Sequence, residues 1–455
     1  MTFLTSFFGL ILTISLLVAI HEYGHYLVAR LCGIKVLRFS VGFGKPIWMR
    51  KAGADQTEYC ISALPLGGYV KMLDEREGAV DPADVGRTFN AQPVWQRIAV
   101  LLAGPAFNFA FAIAAYWLLF VVGTATVRPV VGVVTPNTPA AAAGLQFGDV
   151  IASVGDRQIE SWQGSGLQAI VGELVDDGAL PLTVERANGK LVDVVLNVDR
   201  ATARLSEPGK LFTGLGFLPW SARAIVGSFS ETSPGRVAGL QIGDQMTAVN
   251  GAPVSSFNEL VAQISAIPNE RIDLDILRGD QPIRLSVPVG AVEVDGQTIG
   301  RIGVGVADER PDNLYSTKQL DFFAALPAAA TKTVELTQFT FEMFGRMLTG
   351  SVSTKNISGP LNIAEFAGDS LSRGFSDFVD FLALVSVSLG VLNLLPIPML
   401  DGGQIVYQSV EGVTGKPVSE KWQIMGQQVG IVMLLGVMSL AFYNDIARMV
   451  GRLLT

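Results

Sequence analysis

Histidine is almost missing from this 455-residue chain: there are two, His21 and His25. Cysteine is as scarce, with Cys32 and Cys60 alone, both close behind the first apolar run. Nothing between Val121 and Thr455 can form a disulfide, so folding requires no oxidising compartment. Charged residues make up only 16%, and a net charge of −8 with no dominant basic stripe argues against nucleic acid as a partner. No Lys or Arg precedes Arg30, and the first apolar run continues past any plausible cleavage site. An ordinary cleaved signal peptide is therefore not expected. What is abundant is apolar: 49% of residues are hydrophobic, and the mean hydropathy is +0.41. That composition indicates a membrane protein with a substantial soluble part.

Both histidines fall in one motif, His21-Glu22-Tyr23-Gly24-His25, inside an apolar run from Phe3 to Leu31. On a helix, positions i and i+4 share a face, so both imidazoles point the same way. Two ring nitrogens so placed can bind one zinc ion, with Glu22 beside the metal's open position as general base. Such a motif also occurs by chance in proteins that bind no metal. Here it lies at membrane depth, where ionisable side chains are costly and by default functional.

Taken in order, the chain alternates apolar spans with polar segments. Residues 1–35 form the first span. Arg30, Lys35, Arg38, Lys45, Arg50 and Lys51 follow it and place that side in the cytoplasm. Residues 36–94 are Gly-rich and β-prone, a membrane-reentrant or membrane-associated hairpin region containing Gly67-Gly68-Tyr69-Val70-Lys71-Met72. That stretch reads either as an ordinary loop or as a strand edge that holds a protease substrate extended. The second span, 95–124, carries Gly104 and Asn108. Gly104 suits close helix packing. Asn108 either bonds a neighbouring helix or meets a substrate carbonyl.

Residues 125–221 and 222–311 have the composition of two soluble α/β domains and contain an internal repeat. Ser/Thr-Pro recurs from position 139 to 234, Ala-Gly-Leu from 144 to 239 and Gly-Asp from 148 to 243, each 95 residues apart. Repeats of that length are whole small domains. Residues 312–376 are expected to form interfacial amphipathic helices. The third span, 377–403, ends in Asn393-Leu394-Leu395-Pro396-Ile397-Pro398-Met399-Leu400-Asp401-Gly402-Gly403. Its prolines unwind the helix near membrane depth. Asp401 could simply belong to a closing turn. A two-histidine zinc site, however, needs a third protein ligand, and Asp401 is at the matching depth. A cytoplasmic loop at 404–423 and a fourth span at 424–455 complete the chain. The fold class expected is a multi-pass α-helical membrane protein with four transmembrane helices, two inserted α/β domains and a membrane-associated β-hairpin region.

Two resemblances arise from these residues. The repeated units look like PDZ domains: Gly214-Leu215-Gly216-Phe217 is the kind of motif that lines a PDZ peptide groove, while the second unit has Ile302-Gly303-Val304-Gly305. Such a pair reads either as a peptide binder or as a size filter. With His21 to His25, Gly104 with Asn108, and Asn393 to Gly403 in order along the chain, the whole sequence resembles the site-2 intramembrane zinc metalloproteases. That resemblance implies zinc held by His21, His25 and Asp401, with Glu22 as base. It implies a substrate site shaped by Asn108, Asn393, Pro396 and Pro398, and a clamp from Gly67 to Met72. It further implies a bacterial inner-membrane location with periplasmic PDZ domains and an active site towards the cytoplasm. Single-span substrates in the lipid bilayer are expected, among them an anti-sigma factor and leftover signal peptides. A metal-dependent transporter would instead show inverted repeats among the spans, and none are visible. An idle PDZ-bearing adaptor would have lost Glu22 or Asp401, and both are present.

Overall fold

The computed structural model describes residues 3–78, 80–162, 166–177, 179–198, 205, 207, 210–294, 297–308, 311 and 314–454. The expected domain start at 312 and the last residue of the fourth span lie outside them. The chain forms two compact units: residues 1–124, 318–350 and 354–455, and residues 125–317 with 351–353.

Among the described residues the first unit has seven α-helices and a hairpin, in chain order α1 (Phe3–Leu31), β1 (Val36–Ala52), β2 (Thr57–Met72), α2 (Val94–Val122), α3 (Phe322–Leu348), α4 (Pro360–Arg373), α5 (Phe375–Leu394), α6 (Asp401–Thr414) and α7 (Glu420–Leu454). Leu4–Leu31, Val94–Val122, Phe375–Leu394 and Glu420–Val450 are long and apolar enough to cross a membrane. They overlap the four spans read from the sequence, although the third helix ends at Leu394 rather than 403 and the fourth begins at Glu420 rather than 424. The 404–423 stretch, expected to be a loop, is helical as far as Thr414, where Gly415 adopts the left-handed conformation that caps α6. Val406, Val410 and Val413 provide that helix with an apolar stripe at helical spacing.

Helix α2 is the centre of this unit. Ala112, Ala115, Tyr116 and Leu119 are buried together with Ala325, Ala329 and Leu336 of α3 and with Ala383, Val387 and Val391 of α5. Asp321 starts α3 by accepting hydrogen bonds from Phe323 N and Ala324 N at 3.0 and 3.1 Å. Lys332 of α3 lies 4.0 Å from the Tyr116 ring centroid and 3.2 Å from Asp380 of α5, a cation shared between an aromatic face and a carboxylate. At the other end, α7 is tied to the start of α4. Asp445 accepts from Gly359 N, Leu361 N and Asn362 N at 3.0–3.1 Å, satisfying amides that a helix start leaves without partners.

The β1–β2 pair is antiparallel, and both strands bend so that the register closes twice. Phe39 is opposite Val70 on one side and Tyr59 on the other, while Cys60 is opposite both Ser40 and Met49. The four segments therefore lie in the order 46–52, 57–62, 36–41 and 68–72, which leaves Gly68 to Met72 as an edge. Val70 and Met72 pack on Ala29, Ile34, Val36 and Val100, fixing that edge against α1 and α2.

The second unit contains two α/β modules of like construction. In one, the sheet order is Arg157–Gln158, Val150–Val154, Ala179–Glu185, Leu191–Asn197; in the other, Ala252–Pro253, Gln245–Val249, Arg271–Arg278, Gln281–Pro288. Each has its own apolar core, around Ile151, Ile170, Leu182 and Phe217 in the first and Met246, Leu260, Leu274 and Ile276 in the second. The repeat is physical: Thr138 and Ser233 cap the short helices that open at Pro139 and Pro234. Asp149 and Asp244, both buried, are gripped by Arg186 and Arg278, whose guanidinium groups also bond Gly144 O and Gly239 O. These arginine partners explain why the Gly-Asp step recurs.

Candidate metal centre

Helix α1 projects His21 and His25 from one face, and Asp401 is the first residue of α6. The Nε2 atoms of His21 and His25 lie 3.2 Å apart. Asp401 Oδ2 is 3.2 Å from His21 Nε2 and 3.5 Å from His25 Nε2. Ligands about 2.0–2.1 Å from a tetrahedral zinc are separated by about 3.3 Å, so these three atoms span one face of such a tetrahedron. Two imidazoles and a carboxylate with a fourth position open is also the donor set of a catalytic rather than a structural zinc. The residues fit the metal. Among the described residues this is the one cluster of three such donors within 4.8 Å.

What lies behind each ligand is as specific as the ligands. His25 Nδ1 is 2.7 Å from Val100 O on α2, so this ring donates there and turns Nε2 towards the cluster. The Asn108 amide faces His21 Nδ1, with Nδ2 at 3.1 Å. Asn108 is fully buried, and its Oδ1 has no hydrogen-bond partner among the described residues. A His21 that ligates through Nε2 carries its proton on Nδ1, and the amide oxygen is the atom that can accept it. Ser386 Oγ of α5 in turn donates to Asn108 O at 2.9 Å. Of the two sequence readings of Asn108, the structure displays the interhelical bond.

Gly104 is the third contact from α2. A Cβ there would fall inside the van der Waals envelope of His25 Nε2 and lie 2.7 Å from His21 Cε1. Val100, Gly104 and Asn108 therefore form one stripe of α2, at helical spacing, facing the centre, and Arg97 continues that spacing towards the helix start. Gly24, inside the histidine motif, is packed on Ala103 of the same helix, with no room for a side chain.

Glu22 is directed elsewhere. A Cβ on Gly68 of the β2 edge would stand 3.1 Å from Glu22 Cγ and 2.7 Å from Ser40 O. Glu22 is not one of the three clustered donors and lies beside Gly68 of the 68–72 edge. Gly67 has φ +145, with Phe43 packed where a side chain would be. Tyr69 stacks on Phe43 at 6.2 Å and accepts from Arg38 at 3.2 Å, while Lys71 is exposed.

Between α5 and α6 the backbone is non-helical. Ile397 N bonds Leu395 O at 2.7 Å and Leu400 N bonds Ile397 O at 2.9 Å, while Pro396 and Pro398 contribute no amide. Gly402 and Gly403 press on the carbonyls of Leu394, Leu395 and Ile397 and so fold the break tightly enough to deliver Asp401. Asn393, half-buried in the last turn of α5, makes no side-chain hydrogen bond among the described residues. The sequence reading missed Val100, Ser386 and Arg97. The helical spacing of 97, 100, 104 and 108 could have pointed to Arg97 and Val100, whereas nothing in the sequence marks Ser386.

In the first α/β module, Leu215 and Phe217 are core side chains, fully buried beside Phe212 and Trp162. Gly216, at φ +86, caps a short helix, and its carbonyl accepts from Thr135 N at 2.8 Å. Gly214, in the same short helix, has Leu205 packed against its Cα. Gly303 takes the equivalent place in the second module, accepting from Ser230 N at 3.0 Å.

Comparison with known proteins identifies the family. The model of peptidase family M50 matches residues 9–437. A Neisseria meningitidis protein whose name assigns it to the zinc metalloproteases is 40% identical over 97% of this chain and 98% of its own. Protease RseP of Yersinia pestis is 37% identical over 99% of this chain and 100% of its own. The regulator of sigma-E protease RseP of Escherichia coli is 36% identical with the same coverage. A solved PDZ domain of an SdrC-like protein from Listeria monocytogenes is 19% identical, covering 20% of this chain and 94% of that domain with a TM-score of 0.18. The family resemblance carried by three separated motifs holds over nearly the full length. This chain belongs to peptidase family M50 and is a zinc metalloprotease.

Proposed function

We propose that the chain is an intramembrane endopeptidase that cuts peptide bonds within or near the transmembrane segment of single-span proteins. Its substrates are of the RseP type: an anti-sigma factor already trimmed by a first cut, and remnant signal peptides. The observation that carries this reading is the meeting of His21 and His25, on a helix of membrane-spanning length, with Asp401 at the start of α6, and of Glu22 with a strand edge.

Zinc at His21, His25 and Asp401 would supply a Lewis acid for the scissile carbonyl and bring the pKa of a water towards about 7. Glu22 accepts a proton from the attacking water at its carboxylate and returns it to the leaving amine. The 68–72 edge holds the substrate backbone extended through main-chain hydrogen bonds, and Gly67 to Met72 thereby act as the clamp. Asn393, whose amide has no hydrogen-bond partner among the described residues, binds a substrate carbonyl, and the Pro396–Pro398 break shapes the wall beside it. A substrate helix satisfies its own amides, so it must unwind before it can lie along that edge. Substrates with Gly or Pro near the cut are therefore preferred.

Basic residues after α1 put the metal centre towards the cytoplasmic face of a bacterial inner membrane and the α/β unit in the periplasm. There the two modules act as a PDZ pair that screens substrates by size or by peptide binding. The experiment is Glu22→Gln, purified in detergent and assayed for zinc and for cleavage of a single-span substrate. Retained zinc with lost cleavage supports the reading, and retained cleavage removes Glu22 from it.

A further inference from the structure

We propose that Arg97 and Glu411 form a positioning pair that sets Asp401 against His21 and His25, and so determines how tightly the centre holds its divalent cation. Arg97 of α2 is buried, and its two terminal nitrogens donate to the two carboxylate oxygens of Glu411 on α6, at 3.1 and 2.6 Å. This is the forked arrangement in which both partners are fixed in orientation as well as distance.

The reason it bears on the metal is the place of each residue on its helix. Asp401 is the first residue of α6 and Glu411 lies in the last turn of the same helix. Arg97 continues the spacing of the α2 stripe that holds His25 through Val100 O, both imidazoles through Gly104, and His21 through Asn108. One face of α2 thus sets the two ligands on α1 directly, and the third through α6. Beyond the buried Gly402 and Gly403 the side chains of α6 are half-buried or exposed; Gln404 Nε2 donates to Pro398 O at 3.2 Å near its start, and the Arg97–Glu411 fork ties its far end to α2.

Rotation is the quantity that matters. Turning a helix by about 10° about its axis carries a side-chain tip at roughly 5 Å radius through about 0.9 Å. Metal–ligand distances tolerate only about 0.2 Å. The glycine contacts at 402 and 403 fix the height of Asp401, and the Arg97–Glu411 fork fixes its rotation. This inference rests on the metal-site reading, and the test separates the two.

Full-length wild type, Glu411→Gln, Arg97→Lys and the double variant Arg97→Met/Glu411→Met are purified in detergent and titrated with zinc against a competing chelator. Lys332→Met, which breaks the ion pair to Asp380 elsewhere in the same unit, serves as the control for general loosening. The single variants are expected to bind zinc about 10–100-fold more weakly, as losses behind a metal ligand do. The double variant, which leaves no uncompensated buried ion, is expected to fold and to show a loss no larger than a single one. The control is expected to bind as wild type does. Folded single variants that bind zinc within twofold of wild type overturn the pair's role, and so does an equal loss in Lys332→Met. Wild type that binds no zinc overturns the metal reading itself.

Discussion

Gly104 of α2 lies so close to His25 of α1 that the smallest side chain at 104 would overlap the ring nitrogen that faces Asp401. The helix crossing and the metal site are therefore one feature. Ala is about 1 kcal/mol better than Gly in a helix interior. Gly104→Ala should consequently keep α2 folded while displacing the imidazoles. Zinc affinity is expected to fall by at least about 10-fold, read by metal analysis after dialysis against a weak chelator.

Gly68→Ala tests the other side of the site. The added methyl would meet Val18, Ser40 O and Glu22 Cγ, none of which is a metal donor. Zinc content should remain that of wild type while kcat falls on the order of 10²-fold, the scale of a 1 Å misplacement in a catalytic group. The opposite result, zinc lost with the residual enzyme fully active, would separate the 68–72 edge from Glu22.

Asn108 is expected to act through His21 rather than on substrate. Asn108→Leu removes the acceptor for His21 Nδ1 and should weaken zinc about 10–100-fold with KM unchanged. Asn108→Asp keeps an acceptor and should retain the metal. A raised KM with normal zinc in Asn108→Leu would return the residue to the substrate-contact role.

Much of this centre was legible in the sequence because its ligands follow rules of spacing and depth. His21 and His25 are one helical turn apart, and Asp401 follows a proline break that only a buried or wet site tolerates. The four spans and the 95-residue repeat were readable for similar reasons of run length and offset. What was not readable depends on tertiary approach. Gly104 was read as a packing glycine, and nothing in its neighbours in sequence shows that imidazoles occupy the space it leaves. Helix α6 was read as a loop because its stripe of valines is thin and its glycine start resembles a turn. Arg97 and Glu411 are far apart along the chain and become partners only when α6 lies on α2.

The α/β unit carries its own pH dependence. Burial opposes ionisation of Asp244, but hydrogen bonds from Arg278 and the Gln241 amide outweigh it and hold the carboxyl below its ordinary value. The stabilisation is then complete above the ordinary carboxylate pKa of about 3.9 and is lost as pH falls through the lowered folded value. Asp244→Asn should destabilise the module at neutral pH, by removing the charge that the Arg278 guanidinium bonds, and should flatten the acid limb. Amide exchange of Arg271–Arg278 in the full-length protein, followed against pH, gives both readings.

X-ray absorption at the zinc edge, on wild type beside Asp401→Ala, bears most directly on the claim that α1 and α6 share one metal. Wild type should hold one zinc per chain with two imidazole nitrogens and oxygen ligands at about 2.0–2.2 Å, and Asp401→Ala should lose the metal or one oxygen. Sulfur scattering near 2.3 Å, or a spectrum unchanged by Asp401→Ala, would contradict it.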